Sequence, residues 1–374
     1  MIKVSRGCLG DEEMAGVRQV FDAGYFGQGR AVTEFEAELG RYVGAEQVVA
    51  TNTGTSALHL ALDALGIGNG DEVIVPSLTF VASFQAIAAT GATAVPCDVT
   101  ADTLLMDVGD AERRITPKTR ALMPVHYAGN LCDMEALLKL KEQRGVRIVE
   151  DAAHAFGSTY RGRKLGSFGD VVCFSFDSIK TITCGEGGAV VCFGEELAEV
   201  MRRKRTLGIN RNANPEGSGK ESRWRFEVAT NGFRYHMSSI NAAIGLAQLK
   251  KADGFIARRR EICRRYDAAF GEMTGLQTLR VDYREVAPHI YVVRVKGERR
   301  DALMEFLKDA DIETGINYIP NHLHAYFRGK GVTLPETERA YREILTLPLH
   351  CGLSDGDVDC VIGCVREFFQ GPAR

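Results

Sequence analysis

Short apolar runs alternate with helical periodicity along the first two thirds of the chain. Alternation of buried strands with amphipathic helices is typical of an α/β fold built on a mostly parallel sheet. The apolar runs predict strands at residues 48–50, 72–76, 92–96, 120–125, 146–150, 171–176 and 189–193. The pattern therefore predicts a mostly parallel, seven-stranded sheet covered by helices.

Helical spacing fills the gaps between these runs and continues beyond them. The first group of predicted helices covers residues 33–43, 56–65, 80–89, 133–143 and 195–205. A long helix is predicted at 238–268, where Ile240, Ala243, Ile244 and Ala247 share one apolar face, and we expect it to link two lobes. Between these regions, residues 209–222 are rich in Asn, Gly, Pro and Ser, which predicts a mobile loop that acts as a lid or a linker.

The last part of the chain predicts a smaller α+β domain. Its predicted elements are strands at 290–295 and 314–319, a helix at 300–309 and a final helix after Ser354. Because 374 residues exceed the usual size of a single core, we expect two domains. The predicted division is a large domain at 1–250 and a small C-terminal domain at 251–374.

Composition excludes several classes of function. A net charge of −3 gives no electrostatic reason to expect nucleic-acid binding, and the basic run from Arg202 to Arg205 is interpreted as a solvated helix face. No stretch is long and apolar enough to span a membrane, and the first residues lack an apolar signal core. The ten cysteines are scattered without a CxxC pair or zinc-site spacing, so we expect reduced thiols, no metal site and a cytoplasmic protein.

Lys180 is the strongest candidate for chemistry. It follows the apolar run at 171–176 and precedes the glycine turn at 185–188. A lysine on a short loop at the end of a strand becomes a nucleophile when burial lowers its pKa, and it can then form a Schiff base with a carbonyl. The alternative is an ordinary loop lysine, and the neighbouring motifs decide between the two.

A second motif favours phosphate binding. Residues 51–56 place small hydroxyl residues and Gly54 directly before a predicted helix. Free N–H groups and the helix dipole make such a terminus an anion site, although capping of the helix by Ser or Thr explains the same residues. Ser175, near the end of the strand before Lys180, could donate its hydroxyl to the same phosphate.

Three further residues suit a flat heterocycle. Asp151 ends a buried strand, where it can hold a pyridine nitrogen protonated, while strand alternation turns Glu150 to the other face. Phe80 can stack on a ring and His154 can contact a phenolic oxygen. A helix cap, a core aromatic and a structural histidine are the respective alternatives. In chain order, the phosphate cup, stacking ring, acid and amine together describe a pyridoxal 5'-phosphate site.

These motifs resemble the nucleotide-sugar aminotransferases of the DegT/DnrJ type, which have the aspartate aminotransferase fold (fold type I). The resemblance runs through nearly the whole chain and is carried by residues 29–36, 53–62, 150–154, 174–176, 180, 185–189 and 235–245. It implies that Gly54, Thr55 and Ser175 bind the cofactor phosphate, Phe80 stacks on the ring and Asp151 pairs with the ring nitrogen. It also implies that His154 lies near the phenolic oxygen, that Lys180 forms the Schiff base, and that a homodimer shares its active sites.

The chain departs from the family pattern at two positions. Asp177 stands where many relatives have histidine, and Arg234 stands where many have an asparagine that reaches the phosphate in the neighbouring subunit. Arg234 could bind either that cofactor phosphate or the diphosphate of a substrate, because its planar donors suit phosphate. The segment at 317–324 resembles the family's sugar-side loop and makes Tyr318, His322 and His324 candidate substrate contacts, with a plain surface loop as the alternative for the two histidines.

The expected activity is that of a transaminase. The resemblance implies transfer of an amino group from an amino acid, L-glutamate by analogy, to a 3- or 4-keto deoxysugar carried on a nucleotide. The product would be an amino sugar for a surface polysaccharide or for natural-product glycosylation. A sugar dehydratase using the same cofactor and a catalytically silent regulatory homologue are the alternatives, and Lys180 with Asp151 argues against both.

Overall fold

A seven-stranded sheet forms the centre of the computed structural model, which describes residues 1–166, 168–210, 226–328 and 331–370. The strands are β1 (Gln47–Thr51), β2 (Glu72–Pro76), β3 (Thr93–Cys97), β4 (Thr119–Leu122), β5 (Arg147–Asp151), β8 (Val171–Ser175) and β9 (Gly188–Cys192), with a small hairpin of β6 (Thr159–Tyr160) and β7 (Arg163–Lys164) between β5 and β8. The strands of the large sheet occur in the order β1-β9-β8-β5-β4-β2-β3. The neighbours β5/β8, β4/β5, β2/β4 and β2/β3 are parallel, while β9 runs antiparallel to both β1 and β8.

Helices cover both faces of this sheet. The described helices are α1 (Asp11–Ala23), α2 (Arg30–Val43), α3 (Gly54–Ala64), α4 (Val81–Ala89), α5 (Val108–Arg113), α6 (Met134–Arg144), α7 (Glu195–Arg205), α8 (Ser239–Phe270), α9 (Arg300–Asp309), α10 (Pro335–Glu343) and α11 (Asp355–Gln370). Alternate residues of each strand point to opposite faces, so Val171 packs with α3, α4 and α7, whereas Val172 packs with α2 and α8. Burial on both faces explains why these strands are continuous apolar runs.

A second, antiparallel sheet lies in the C-terminal part of the chain. Its strands, in the order β12-β13-β14, are β12 (Leu276–Thr278), β13 (Tyr291–Val295) and β14 (Ile344–Leu347). Helices α9 and α11 pack on it through a separate apolar cluster that includes Val293, Leu307 and Val361. The helix α8 contributes Ile262 and Tyr266 to this cluster and Ala242 to the core of the large sheet, so it connects the two cores. The division at residue 250 remains a prediction.

The strand predicted at 314–319 is wrong. Only Gly315 makes a β-bridge there, to Thr346, and the third strand of the small sheet is instead β14. Ile316 and Tyr318 pack against the cluster that lies beneath β2 and β4, so tertiary contacts override the local β pattern of this segment. Most of the predicted loop at 209–222 lies outside the described residues, although Ile209–Asn210 (β10) pairs with Glu227–Val228 (β11).

The expectation that all cysteines are reduced is also wrong. Cys8 and Cys351 form a disulfide, and the remaining eight cysteines are free. The two partners lie far apart in sequence, which is why spacing alone did not indicate the pair. Within the described part of the chain, no helix combines the length and apolarity needed to cross a membrane.

Candidate functional site

A cavity of about 340 Å³ lies where the carboxyl ends of β5 and β8 meet the first turns of α3 and α4. This is the edge of a parallel sheet at which ligands usually bind. The structure brings together seven residues that the sequence singled out, and these line the cavity: Gly54, Thr55, Phe80, Asp151, His154, Ser175 and Lys180. A larger open groove between α1, α2 and α8 is lined mainly by helix surface, and Lys180 and Asp151 lie elsewhere.

One end of the cavity is formed by the amino terminus of α3. Thr53 caps the helix, since its Oγ1 accepts the Ser56 N–H at 3.0 Å, and the first backbone bond of the helix runs from Ala57 N–H to Thr53 C=O. The N–H groups of Gly54 and Thr55 precede that bond and are therefore available to an anion. A Cβ at position 54 would lie 2.7 Å from Cβ of Ser175, so only glycine allows this close approach. Together these groups fit a phosphate.

Asp151 lies deep in the cavity at the end of β5. Its Oδ2 accepts a hydrogen bond from Ser83 Oγ at 2.7 Å, and its Oδ1 accepts one from Ala153 N–H at 3.1 Å. Burial raises the pKa of Asp151, while these hydrogen bonds and the charges of Lys180 and His126 oppose the rise. A carboxylate held this way can stabilise a protonated ring nitrogen brought against it.

The neighbouring acid points away from the cavity. Glu150 is fully buried on the opposite face of β5, where its Oε2 lies 2.9 Å from Nε2 of His126. This arrangement follows from the alternation of side chains along a strand. Asp151 is therefore the carboxylate of the pair that lines the cavity.

Lys180 follows β8 on a tight turn. Its N–H donates to the Asp177 carbonyl at 3.0 Å, which closes the turn and directs the side chain into the cavity. Burial lowers the pKa of Lys180 to about 8, and attraction to Asp177 and Asp151 limits the fall. At a pH near that value about half of the amine is neutral, which is the form that attacks a carbonyl.

An aromatic wall closes one side. Phe80 caps α4 and is 53% exposed despite being apolar, so its ring is free to cover a flat ligand. Its centroid lies 5.5 Å from that of Tyr318, and Tyr318 Oη lies 2.9 Å from Nε2 of His154. Burial and the charge of Lys180 lower the pKa of His154 well below its usual value, so this imidazole is neutral.

Four residues predicted for the site are not among those that line this cavity, and Tyr318, which contacts Phe80 and His154, is one of them. Arg234 is exposed and pairs through its backbone with Thr206. His322 is buried, with Nδ1 2.7 Å from Ser77 Oγ and Nε2 3.4 Å from Glu338 Oε1, which gives it a structural role in this chain. His324 is half-buried on the same segment.

Sequence reasoning missed Ser83 and gave no role to Glu186 or Asp177. Ser83 holds Asp151 and also contacts Thr79 Oγ1 at 3.0 Å. Its position one helical turn after Phe80 places both on the side of α4 that faces the cavity, and that spacing was the available signal. Glu186 and Asp177 line the mouth near Lys180.

The residues present fit pyridoxal 5'-phosphate. An anion site, an uncovered aromatic ring, a buried carboxylate and a reactive amine lie around a single cavity, and each complements a different part of that molecule. The close contact of Gly54 with Ser175 also means that residue 54 itself puts no side chain into the anion site.

The chain is similar to a polysaccharide biosynthesis protein and to aminotransferases of known structure. It is 40% identical over 373 residues to the spore coat polysaccharide biosynthesis protein SpsC of Bacillus subtilis, which covers 97% of this chain and 96% of SpsC. Two solved structures are similar over nearly the whole chain. The aminotransferase TlmJ from Streptoalloteichus hindustanus has a TM-score of 0.92 and 39% identity, covering 98% of both chains.

The sugar aminotransferase CalS13 from Micromonospora echinospora has a TM-score of 0.91 and 33% identity, covering 98% of this chain and all (100%) of CalS13. Similarity of this extent, at both the sequence and the fold level, shows a shared architecture rather than a shared motif. Residues 7–366 match the family itself. The chain belongs to the DegT/DnrJ/EryC1/StrS aminotransferase family.

Proposed function

We propose that this aminotransferase uses pyridoxal 5'-phosphate to move an amino group from L-glutamate to a 3- or 4-keto, nucleotide-linked deoxysugar. The observation that carries the proposal is the placement of Lys180 and Asp151 around one cavity that also receives the amino terminus of α3. The sugar chemistry named for SpsC and CalS13 supports the choice of acceptor. The product would be an amino sugar for a surface polysaccharide or a glycosylated natural product.

Each side chain has a separate task. Gly54, Thr55 and Ser175 hold the phosphate, and Phe80 covers one face of the ring. When bound, the cofactor supplies an aldehyde that joins amines and a ring that accepts electrons from the substrate carbon. Asp151 keeps the ring nitrogen protonated, which strengthens that electron withdrawal.

Lys180 performs two tasks in sequence. It first binds the cofactor covalently through its neutral amine. Once displaced by an amino substrate, the free amine would take a proton from the substrate carbon as general base and would deliver one, as general acid, to the carbon on the other side of the imine nitrogen. A pKa of about 8 suits both directions of transfer near neutral pH.

The sugar side is assigned to Tyr318, whose ring borders the cavity beside Phe80. His322 and His324 stay predictions as substrate contacts. We also propose that the protein is a homodimer in which Arg234 serves the partner's cavity, binding either cofactor phosphate or substrate diphosphate. Its exposure and the exposed apolar residues Leu207 and Val228 on nearby segments support this arrangement. A cytoplasmic location belongs to the same proposal.

The test begins with the covalent bond. Purified protein loaded with cofactor should show a visible absorption band that L-glutamate bleaches. Borohydride treatment, digestion and mass spectrometry should place the cofactor on Lys180. Lys180→Ala should still bind the cofactor but lose turnover by at least about 10³-fold, because it lacks both base and attachment point. A label on another residue would contradict the assignment.

The acceptor is tested separately. The loaded protein is incubated with L-glutamate and a panel of 3-keto and 4-keto nucleotide sugars, and products are identified by mass and NMR. An amine on the former keto carbon is expected with at least one acceptor. If L-glutamate bleaches the band but every sugar stays unchanged, the protein still accepts an amino group from glutamate, and the proposal of a sugar acceptor is refuted.

A further inference from the structure

Asp177 begins the turn that presents Lys180. Its carbonyl accepts the Lys180 N–H at 3.0 Å, and its Oδ1 accepts hydrogen bonds from the Ser178 N–H and from Ser178 Oγ, the latter at 2.9 Å. An aspartate that bonds the backbone after it is a common way to fix a tight turn. One carboxylate oxygen therefore holds the backbone that aims the lysine.

The other oxygen has a different environment. No described residue donates a hydrogen bond to Asp177 Oδ2, and the side chain is half-buried in the lining of the same cavity as Lys180. Within the part of the chain that is described, the titratable groups around Lys180 are Asp151, His154, Asp177, Glu186, His289 and Tyr318.

Three of these groups carry no charge that could balance an ammonium ion. His154 and His289 are neutral because burial lowers the pKa of each well below its usual value. Burial also raises the pKa of Tyr318, which keeps its hydroxyl protonated. Asp151 also attracts the amine, but it lies deep in the cavity and already accepts hydrogen bonds from Ser83 and Ala153.

Two carboxylates remain at the mouth of the cavity. Glu186 is exposed, so solvent screens its charge, whereas Asp177 is half-buried on the same turn as Lys180. Attraction to Asp177 raises the pKa of Lys180 against the effect of burial, and Glu186 has no comparable effect on it. Asp177 is therefore the carboxylate placed to act on the amine.

We propose that Asp177 is a positioning residue for Lys180, in which Oδ1 fixes the turn and the negative charge holds the proton on the amine. The two tasks can be separated by substitution. Asp177→Asn keeps an oxygen that caps the turn but removes the charge. Asp177→Ala removes both. Glu186→Gln removes a charge from the same cavity mouth and serves as the matched control.

The expected effect is a change in the pH at which Lys180 becomes reactive. A nearby opposite charge typically raises the pKa of an amine by about one unit or more. Asp177→Asn should therefore lower the midpoint of Lys180 reactivity by about one pH unit. Glu186→Gln should leave the midpoint within about 0.3 units, because exposed charges are screened.

The measurement of the pH midpoint does not require cofactor or turnover. Cofactor-free protein is labelled with trace acetic anhydride between pH 6 and 10, and mass spectrometry follows acetylation of the peptide that contains Lys180. The role of Asp177 rests on the proposed function only because that function makes the Lys180 amine important. If the protein failed to transaminate, the pH dependence of Lys180 acetylation could still be measured. Thermal unfolding checks that each variant is folded.

Two outcomes would overturn the proposal. A midpoint in Asp177→Asn that matches the unsubstituted protein would show that the charge does not act on Lys180. If Asp177→Ala captures added cofactor as fast as Asp177→Asn at a pH above both midpoints, the turn does not depend on Oδ1. Slower capture by the alanine variant alone is the expected result.

Discussion

Asp151 keeps an ionisable carboxyl in a place where ionisation is unfavourable. Burial raises its pKa, so without a positively charged ligand the folded protein holds the proton on this acid more tightly than the unfolded chain does. A protonated ring nitrogen reverses this preference, since it supplies the opposite charge that the site lacks. Asp151 therefore favours the cofactor-bound protein and reduces the stability of the cofactor-free protein.

This cost predicts the behaviour of Asp151→Asn. Because the folded pKa lies above the unfolded value, the stabilising contribution of this carboxyl is complete below the unfolded pKa and is lost as pH rises through the folded pKa. Asparagine cannot ionise, so the cofactor-free variant should unfold at a higher temperature than the unsubstituted protein at pH 7, with the difference vanishing toward pH 4. Turnover should fall by about 10²–10³-fold.

Thermal unfolding of both cofactor-free proteins across this pH range, together with steady-state rates, checks the prediction. Ser83→Ala is the control, because it removes a hydrogen bond to the carboxylate but leaves the charge. A cofactor-free Asp151→Asn protein that is less stable than the unsubstituted protein at pH 7 would contradict the argument.

At the scale of single residues, the sequence was most informative where local structure alone determines the direction of a side chain. Asp151 and Lys180 could be placed because strand alternation and a strand-ending turn determine where their side chains point. Ser83 could not, since a serine in the first turn of a helix is common and its partner lies far away in sequence. The partners of His322 could not be predicted for the same reason, because Ser77 and Glu338 are not visible in the local pattern.

At the scale of elements, the packing of the amino terminus of α3 against the sheet forms part of the candidate site. The helix follows β1 directly, and the start of β9 presses against it, since a Cβ at Gly188 would lie 2.4 Å from the Thr53 carbonyl oxygen. A Cβ at Gly54 would likewise lie only 2.7 Å from Cβ of Ser175 at the end of β8. The anion site is therefore built by three elements at the sheet edge, with glycines at both contacts.

The variant Gly54→Ala tests this construction. Its Cβ would lie 2.7 Å from Cβ of Ser175, so the helix terminus must move away from β8. We expect the dissociation constant of the cofactor to rise about tenfold or more, because losing one charge-assisted hydrogen bond costs about 1.5 kcal/mol or more. Titration of cofactor-free protein by absorbance or fluorescence measures it.

A second glycine provides the control. Gly254 lies within α8 with nothing within 4 Å of an added Cβ, so Gly254→Ala should stabilise the protein by about 0.5–1 kcal/mol and leave cofactor affinity unchanged. Equal cofactor affinity in both variants would show that the terminus of α3 does not form the anion site.

The strands of the large sheet were predictable because they are buried on both faces. Residues 72–76 and the helix at 195–205 were predicted with their observed limits, and the other strands of this sheet differ mainly at their ends. The small sheet was harder. Its strand β14 follows α10 without an intervening turn, and the segment at 314–319 has β-forming residues that pack elsewhere. Local pattern cannot distinguish two such segments that compete for one sheet edge.

At the scale of the whole molecule, the first residues act as a strap, defined here as residues 2–8, between the small sheet and the lysine turn. Ile2 exchanges backbone hydrogen bonds with Asp311 and Glu313, and the Val4 carbonyl accepts the Leu349 N–H at 3.0 Å. At its other end the strap contacts the turn, since a Cβ at Gly7 would lie 2.7 Å from the Ser178 carbonyl oxygen.

The disulfide of Cys8 and Cys351 fastens this strap and predicts a redox-dependent stability. Joining residues separated by 343 positions restricts the unfolded chain, and such bonds contribute about 2–5 kcal/mol. Chemical unfolding with and without a dithiol reductant should differ by about that free energy, and Cys8→Ser should match the reduced protein. Cys360→Ser is the control, because that exposed thiol is free.

A count of free thiols tests the disulfide directly, since denatured, unreduced protein should titrate eight thiols. Ten thiols would contradict the disulfide and would leave the strap held by its hydrogen bonds and by the ion pair of Lys3 with Glu313.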